Sequence, residues 1–256
     1  MSAGLIGIEL ESASMAQNVI TKDTESLAIA AAEHFVASAR AAIARRGRFT
    51  AALAGGSTPR GVYRRLAEKE FSKRVEWAHV HLFWGDERCV PPDHPDSNYG
   101  MAYETLIAHV PIPGEQVHRM RGEDPPLEAA AAYEELLRAH FGTGKQTFDL
   151  VLLGMGEDGH CASLFPGTAA IHETERWVVA HYVDKLDAWR ITLTPAVLNV
   201  ADEVAFIVSG KEKAERVRQV QNDAYRPGTL PAQVIRPANG RLNWYLDSLA
   251  ASRLRV

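Results

Sequence analysis

His160 closes a glycine-rich run, GMGEDGH, that continues as CASLFPG and follows directly on the apolar stretch FDLVLL (residues 148–153). An imidazole titrates near neutral pH, so it can take a proton from water as that water attacks an electrophilic carbon. Two carboxylates, Glu157 and Asp158, stand close before it in the chain. Either could fix the ring's tautomer and stabilise its charged form, and the spacing does not choose between them. The chain holds ten histidines, most of them expected on surfaces or in the core without chemistry. A helix cap or a backbone hydrogen bond would account for a lone one. His160 is set apart by its place after a glycine turn at the end of an apolar run.

The same turn nominally satisfies GxGxxG through Gly154, Gly156 and Gly159. A dinucleotide site needs a helix with an apolar face straight after the turn, then a strand ending in an acid that binds ribose. Residues 160–166 leave room for little more than a turn or two of helix, and no strand precedes Glu173 or Glu175. No nicotinamide, flavin or other cofactor is expected.

A second glycine turn, Gly55-Gly56-Ser57-Thr58-Pro59, joins a strand to a helix. Glycines let the backbone approach a ligand, the helix start offers free N–H groups, and Ser57 and Thr58 add hydroxyl donors. This suits a phosphate, although the GxxxxGK[ST] spacing of a P-loop is absent. A tight turn with Thr58 as helix cap is the plainer alternative. In WGDERCVPPDHPDSNYG (84–100), Arg88 could hold a phosphate or a developing oxyanion; alternatively, Asp86 and Arg88 only tie loops together. Arg190 opens RITLT, and Lys211 and Lys213 follow Gly210. Basic groups at several strand ends point to an anionic substrate. Cys89 and Cys161 form no CxxC pair and no metal-ligand spacing, so they read as small buried fillers and no metal site is expected. No GxSxG elbow occurs, which disfavours a serine nucleophile.

The elements that must position these residues alternate. Residues 24–47 place Leu27, Ala31, Phe35, Ala39, Ala42 and Ile43 on one helical face, with Thr24 able to cap the start and Gly47 the end. FTAALAG (49–55) reads as a buried strand, and Thr58-Pro59 opens a helix through GVYRRLAEK. VHLFWG, FDLVLLG, WVVAHYV, RITLT and EVAFIVSG read as strands; NYGMAYETLIAHV, PLEAAAAYEELLRAHFG and KEKAERVRQVQ read as helices. RLNWYLDSLAA closes the chain as strand or helix. Such alternation predicts an α/β fold of three layers, a mostly parallel sheet with helices on both faces. Residues 1–15 read as a flexible leader and 16–256 as a single domain. The chemical residues fall at the carboxyl ends of strands, where ligands bind in such sheets.

With 46% hydrophobic and 23% charged residues, the composition is that of an ordinary globular protein. A net charge of -4 offers no basic field for nucleic acid or an anionic membrane, so neither partner is expected. The start MSAGLIGIEL lacks a basic and then apolar secretory pattern, and no uninterrupted apolar run is long enough to span a bilayer. A cytoplasmic enzyme is the simplest class.

Five blocks carry a likeness to a known family: ALAGGSTPRGVY, WGDERCVPPDHPDSNYG, FDLVLLGMGEDGHCASLFPG, RITLTPAVLNVADEVAFIVSGKEKA and LPAQVIRPANGRLNWYLD. In this order, from about residue 51 to 247, the chain resembles the 6-phosphogluconolactonases. The resemblance implies hydrolysis of 6-phosphoglucono-δ-lactone to 6-phosphogluconate in the oxidative pentose phosphate pathway, with no cofactor or metal. It implies the three-layer fold shared with glucosamine-6-phosphate deaminases (NagB/RpiA-like, a modified Rossmann fold). His160 matches the family's proposed general base, with Asp158 beside it. Gly55, Gly56, Ser57 and Thr58 match the phosphate-side loop, Asp86 and Arg88 the DER motif, and Arg190 the arginine of RxTLT. Lys213 rather than Lys211 matches the GxxK lysine. Cys161 stands where many relatives have threonine. The expected partner is a phosphorylated sugar lactone, and the expected assembly a monomer or weak homodimer. A deaminase of the same fold would continue the histidine turn with an F-N-E-P-like run and follow Asp-Glu with tyrosine; SLFPG and Arg88 favour the lactonase. A non-enzymatic sugar-phosphate sensor would be expected to carry a DNA-binding module, for which there is neither spare length nor basic charge.

Overall fold

A computed structural model of the chain describes residues 16–142 and 147–254; the leader expected at 1–15 lies outside them. The first strand is β1 (Gln17–Thr21), followed by helix α1 (Thr24–Arg46) and strand β2 (Phe49–Leu53). Helices α2 (Ser57–Ala67) and α3 (Lys69–Ser72) lead to strands β3 (Val80–Trp84) and β4 (Asp86–Arg88). Helices α4 (Asn98–Thr105) and α5 (Pro126–Phe141) precede β5 (Leu150–Leu153), β6 (Val178–Val183) and β7 (Ala188–Leu193). Helix α6 (Pro195–Leu198), β8 (Glu203–Val208), α7 (Ala214–Asn222) and β9 (Arg241–Asp247) complete the fold.

Six strands form one sheet in the order β1-β9-β8-β5-β2-β3, and every pair in it is parallel. Every residue of β2, β5 and β8 is buried, the expected pattern for strands covered on both faces of a three-layer α/β fold. From β2 the chain passes first to β3 on one side and later to β5 on the other. The crevice between β2 and β5 is therefore a topological switch point, where ligands bind in such sheets.

Helix α1 packs on β2 and β9 through buried Leu27, Ala31, Phe35 and Ala39, with Phe35 edge-on to Phe49 at 5.1 Å. By length and composition α1 could cross a membrane, the one such helix among the described residues. Its apolar face is instead a wall of the core. Asp23 rather than Thr24 caps it, accepting from Ser26 N at 2.8 Å, because the Thr24 hydroxyl donates to Asp247 across on β9. Gly47 ends the helix in the left-handed conformation, as the sequence predicts.

Three departures from the expected alternation have simple causes. WVVAHYV and RITLT do not join the parallel sheet: with only a short turn at Asp184–Leu186 between them, β6 and β7 can pair only as an antiparallel hairpin. Together with β4 they form a second, three-stranded sheet. The DER segment is thus a strand of its own. β1 was not foreseen because its QNVIT sequence is mostly exposed, as befits the edge of a sheet.

Glu203, at the start of β8, is buried, yet it accepts from Arg241 and Asn243 on β9 and lies 2.9 Å from His34 of α1. Burial alone would raise its carboxyl, but these partners hold it below its ordinary 4.5. The folded state therefore binds fewer protons here than the unfolded one. This contribution is present above pH 4.5 and is lost as pH falls through the lowered folded value. Chemical denaturation from pH 7 down to pH 3 should show a shallower loss of stability for Glu203→Gln than for the parent. Equal slopes would remove Glu203 from the acid response.

Candidate active site

At the carboxyl end of the parallel sheet a cavity of about 420 Å³ opens between the two sheets. The loop after β2, the turn after β5, the end of β8 and the antiparallel sheet all line it, and the structure brings together in it nearly every residue singled out from the sequence. Gly55, Gly56, Ser57 and Thr58 line it, as do Asp86, Arg88, His160, Arg190 and Lys213. Lys211 does not.

The loop after β2 is braced from below. The buried Tyr63 hydroxyl accepts from Ala54 N and donates to Ala54 O, both at 2.8 Å, and so fixes the point at which the chain leaves the strand. Gly56 then adopts a φ of 102°, a region that an L side chain rarely occupies, and serves as the N-cap of α2 without any side-chain cap. Among the described residues no side chain caps the N–H groups of Ser57 and Thr58, two residues that line the cavity. Thr58 is not a helix cap: its hydroxyl bonds Ser209 Oγ at 2.8 Å, tying this loop to the end of β8.

The turn after β5 closes through Gly159 N to Gly156 O at 3.0 Å and Gly156 N to His160 O at 2.8 Å. A second tight turn with a bridge between Cys161 and Leu164 follows, rather than the helix a dinucleotide site requires. The turn presents His160, whose Nδ1 lies 2.5 Å from Asp158 Oδ1. Asp158, not Glu157, is thus the carboxylate that faces the ring. A carboxylate can only accept, so Nδ1 carries the proton and Nε2 is left with its lone pair. Asp158 is also paired with Lys185, from the turn between β6 and β7. Burial would raise the Asp158 carboxyl, but the hydrogen bonds from His160 and Lys185 outweigh it and hold the group well below the usual carboxylate range. Phe165 backs the imidazole at a centroid distance of 4.2 Å, with Lys185 Nζ 4.9 Å from the same phenyl ring.

The antiparallel sheet supplies the cations. Arg88 of β4 and Arg190 of β7 are direct register partners. Burial, then the Arg88 charge, lowers the Arg190 guanidinium. Two like charges held side by side favour an anion between them. Along β4 the side chains alternate, Asp86 and Arg88 toward the cavity and Glu87 away from it. Glu87 is buried under α4, accepting from Asn98 N at 2.7 Å and Tyr99 N at 2.8 Å. Burial pushes its carboxyl up despite these donors. Asp86 accepts from Ser163 Oγ at 2.6 Å and from Asn98 Nδ2, which joins the DER strand to the histidine turn and to α4. It is the joint of the site's framework as well as part of its lining. Cys161 is buried and its thiol is pushed up by burial. Cys89 is only half-buried, not fully as expected, and burial raises it to about 11. Neither offers a thiolate.

A family model described as glucosamine-6-phosphate isomerases/6-phosphogluconolactonase matches residues 22–244. The chain belongs to this family. It is 41% identical over 219 residues to a 6-phosphogluconolactonase of Nostoc sp., covering 84% of this chain and 88% of the relative. With the 6-phosphogluconolactonase of Haemophilus influenzae the identity is 37% over 202 residues, 79% and 86% of the two chains. The solved 6-phosphogluconolactonase of Trypanosoma brucei superposes with a TM-score of 0.84 at 30% identity, over 94% of this chain and all of the other. Within this family frame, the sequence reading missed Asn98, Ser163, Phe165, Lys185 and Ser209 in the cavity lining. Asn98 and Ser163 lay inside the recognisable blocks, but only the fold shows that they meet at Asp86. Lys185 sits in an exposed turn with no motif around it.

A Cβ on Gly156 would collide with Nδ1 and Cε1 of His160. Gly156→Ala should therefore swing the ring off Asp158 and abolish the downfield Nδ1 proton signal in NMR spectra of the folded protein. A signal retained in a folded Gly156→Ala variant would mean that the turn does not set the ring's position.

Proposed function

We propose that this chain hydrolyses 6-phosphoglucono-δ-lactone to 6-phosphogluconate, by general-base activation of water and without a covalent intermediate. One observation carries the reading: in a member of this family, His160, held by Asp158, lines a single cavity with Arg88, Arg190, Lys213 and the start of α2. A base for water and a grip for a dianion therefore lie within reach of one sugar-sized ligand. The cavity draws on residues from Gly55 to Lys213, which supports reading 16–256 as one domain.

A lactone is an activated ester, so a positioned water suffices as nucleophile. Nε2 of His160 takes a proton as the water oxygen bonds to C1, and Asp158 stabilises the resulting imidazolium. Arg88 and nearby N–H groups receive the charge that builds on the former carbonyl oxygen. Collapse breaks the bond from C1 to the ring oxygen, which takes the proton back from the imidazolium, and the new carboxylic acid ionises in water. The phosphate takes no part in bond changes. Held by residues 55–58, Arg190 and Lys213, it fixes the ring for attack, so that binding energy remote from C1 serves the reaction.

His160→Ala should lower kcat by about 10²–10⁴-fold while phosphogluconate still binds. Near-parental turnover would exclude His160 as the base. Asp158→Asn should lose kcat over the whole working pH range, since Asp158 stays ionised throughout it; a loss confined to acidic pH would contradict its assigned role. Lys213→Ala should mainly raise KM for the phosphorylated lactone, and an equal loss on unphosphorylated gluconolactone would remove it from the phosphate grip. The decisive assay offers the purified protein the phosphorylated lactone, corrected for spontaneous opening, beside glucosamine 6-phosphate. Release of ammonia from the latter without lactone hydrolysis would assign the deaminase activity instead.

A further inference from the structure

Away from the cavity, three histidines remote in sequence converge. His81 lies near the start of β3, at the amino-terminal edge of the parallel sheet and so opposite the active-site face. His118 follows a short segment that bridges to Leu82, its N–H bonded to Leu82 O at 2.8 Å. His140 occupies the last turn of α5. The three imidazoles each bring a nitrogen within 4.8 Å of the others, the one group of this kind among the described residues. Nδ1 of His81 and Nε2 of His118 are 3.1 Å apart. Among the described residues, Nε2 of His140 is buried and has no hydrogen-bond partner.

We propose that His81, His118 and His140 form a binding site for one Zn²⁺ ion, with water as the fourth ligand. Zinc takes neutral imidazole nitrogens at about 2.0–2.1 Å in tetrahedral array, which sets ligand nitrogens about 3.3 Å apart. The His81–His118 pair already stands near that spacing, and a nitrogen of His140 lies within 4.8 Å of both. Burial lowers all three imidazoles, His118 and His140 to about 4, so at neutral pH each offers a lone pair instead of a positive charge. Phe83 stacks on His118 at 4.5 Å and stands edge-on to His140 at 5.1 Å, an apolar backing that holds the rings. Outside the three rings, Arg48 is the charge that acts on His81 and His140; it is exposed, where solvent screens its repulsion of a cation. The ion would clamp β3, the bridging segment and the end of α5 together, serving the fold and not the reaction. No sequence motif marks the site because its ligands come from three separate elements, whereas compact zinc motifs bring them from one or two.

The test titrates full-length, chelator-stripped protein with Zn²⁺ alone by calorimetry, and with Co²⁺ in the visible range. One ion per chain is expected, at roughly micromolar affinity or tighter, with Co²⁺ giving the absorption bands of a four-coordinate nitrogen site. His140→Gln and His118→Gln should each weaken Zn²⁺ at least about tenfold while leaving lactone hydrolysis unchanged. Saturating Zn²⁺ should raise the unfolding midpoint of the parent by about 5 °C, and that of neither variant. Absence of binding, six-coordinate Co²⁺ spectra, or Zn²⁺ binding unaffected in both folded variants would overturn the assignment.

Discussion

A strand buried on both faces can satisfy its backbone only within the ladder, and this constraint organises the molecule. β2, β5 and β8 are such strands, side by side and parallel. Each must be reached by a crossover that returns the chain to the same end of the sheet, so the segments leaving them emerge together at the other end. The glycine loop after β2, the histidine turn after β5 and Ser209 after β8 are neighbours for this reason, and the Thr58–Ser209 hydrogen bond records it. The local chemistry of each loop is modest. Their common address makes a site of them.

The second sheet solves a different problem. An anion grip needs cations that stay near one another in spite of repulsion, and loops hold such groups poorly. Placing Arg88 and Arg190 opposite each other in an antiparallel ladder fixes their separation through backbone hydrogen bonds. The buried Asp86, bonded to Ser163 and Asn98, ties that ladder to the histidine turn and to α4. The two guanidinium groups that line the cavity are thereby set on a framework of buried hydrogen bonds.

The central strands, the long helices α1 and α5 and the cluster of chemical residues were legible in the sequence, because each rests on a local signal: continuous apolar runs, helical periodicity, glycine at a turn. His160 was found by its position after such a turn. The choice of Asp158 over Glu157 was not legible, since both are adjacent in the chain and only the curl of the turn decides which carboxylate meets the ring. The separate antiparallel sheet was missed because a strand's partner is a long-range property. β6 and β7 have the apolar composition of strands that could have joined either sheet. Lys185 and the histidines at 81, 118 and 140 share that difficulty: each owes its neighbours to chain segments dozens of residues away.

Gly85 is the single residue between β3 of one sheet and β4 of the other. Its N–H bonds Leu53 O at 2.9 Å and its carbonyl accepts from Leu193 N at 2.8 Å. One residue is thus stitched into both ladders at once, and the two sheets meet there with no loop between them. The two walls of the cavity are therefore joined backbone to backbone at this corner. A substitution that displaced either of these hydrogen bonds would move one wall against the other and so alter the room between them.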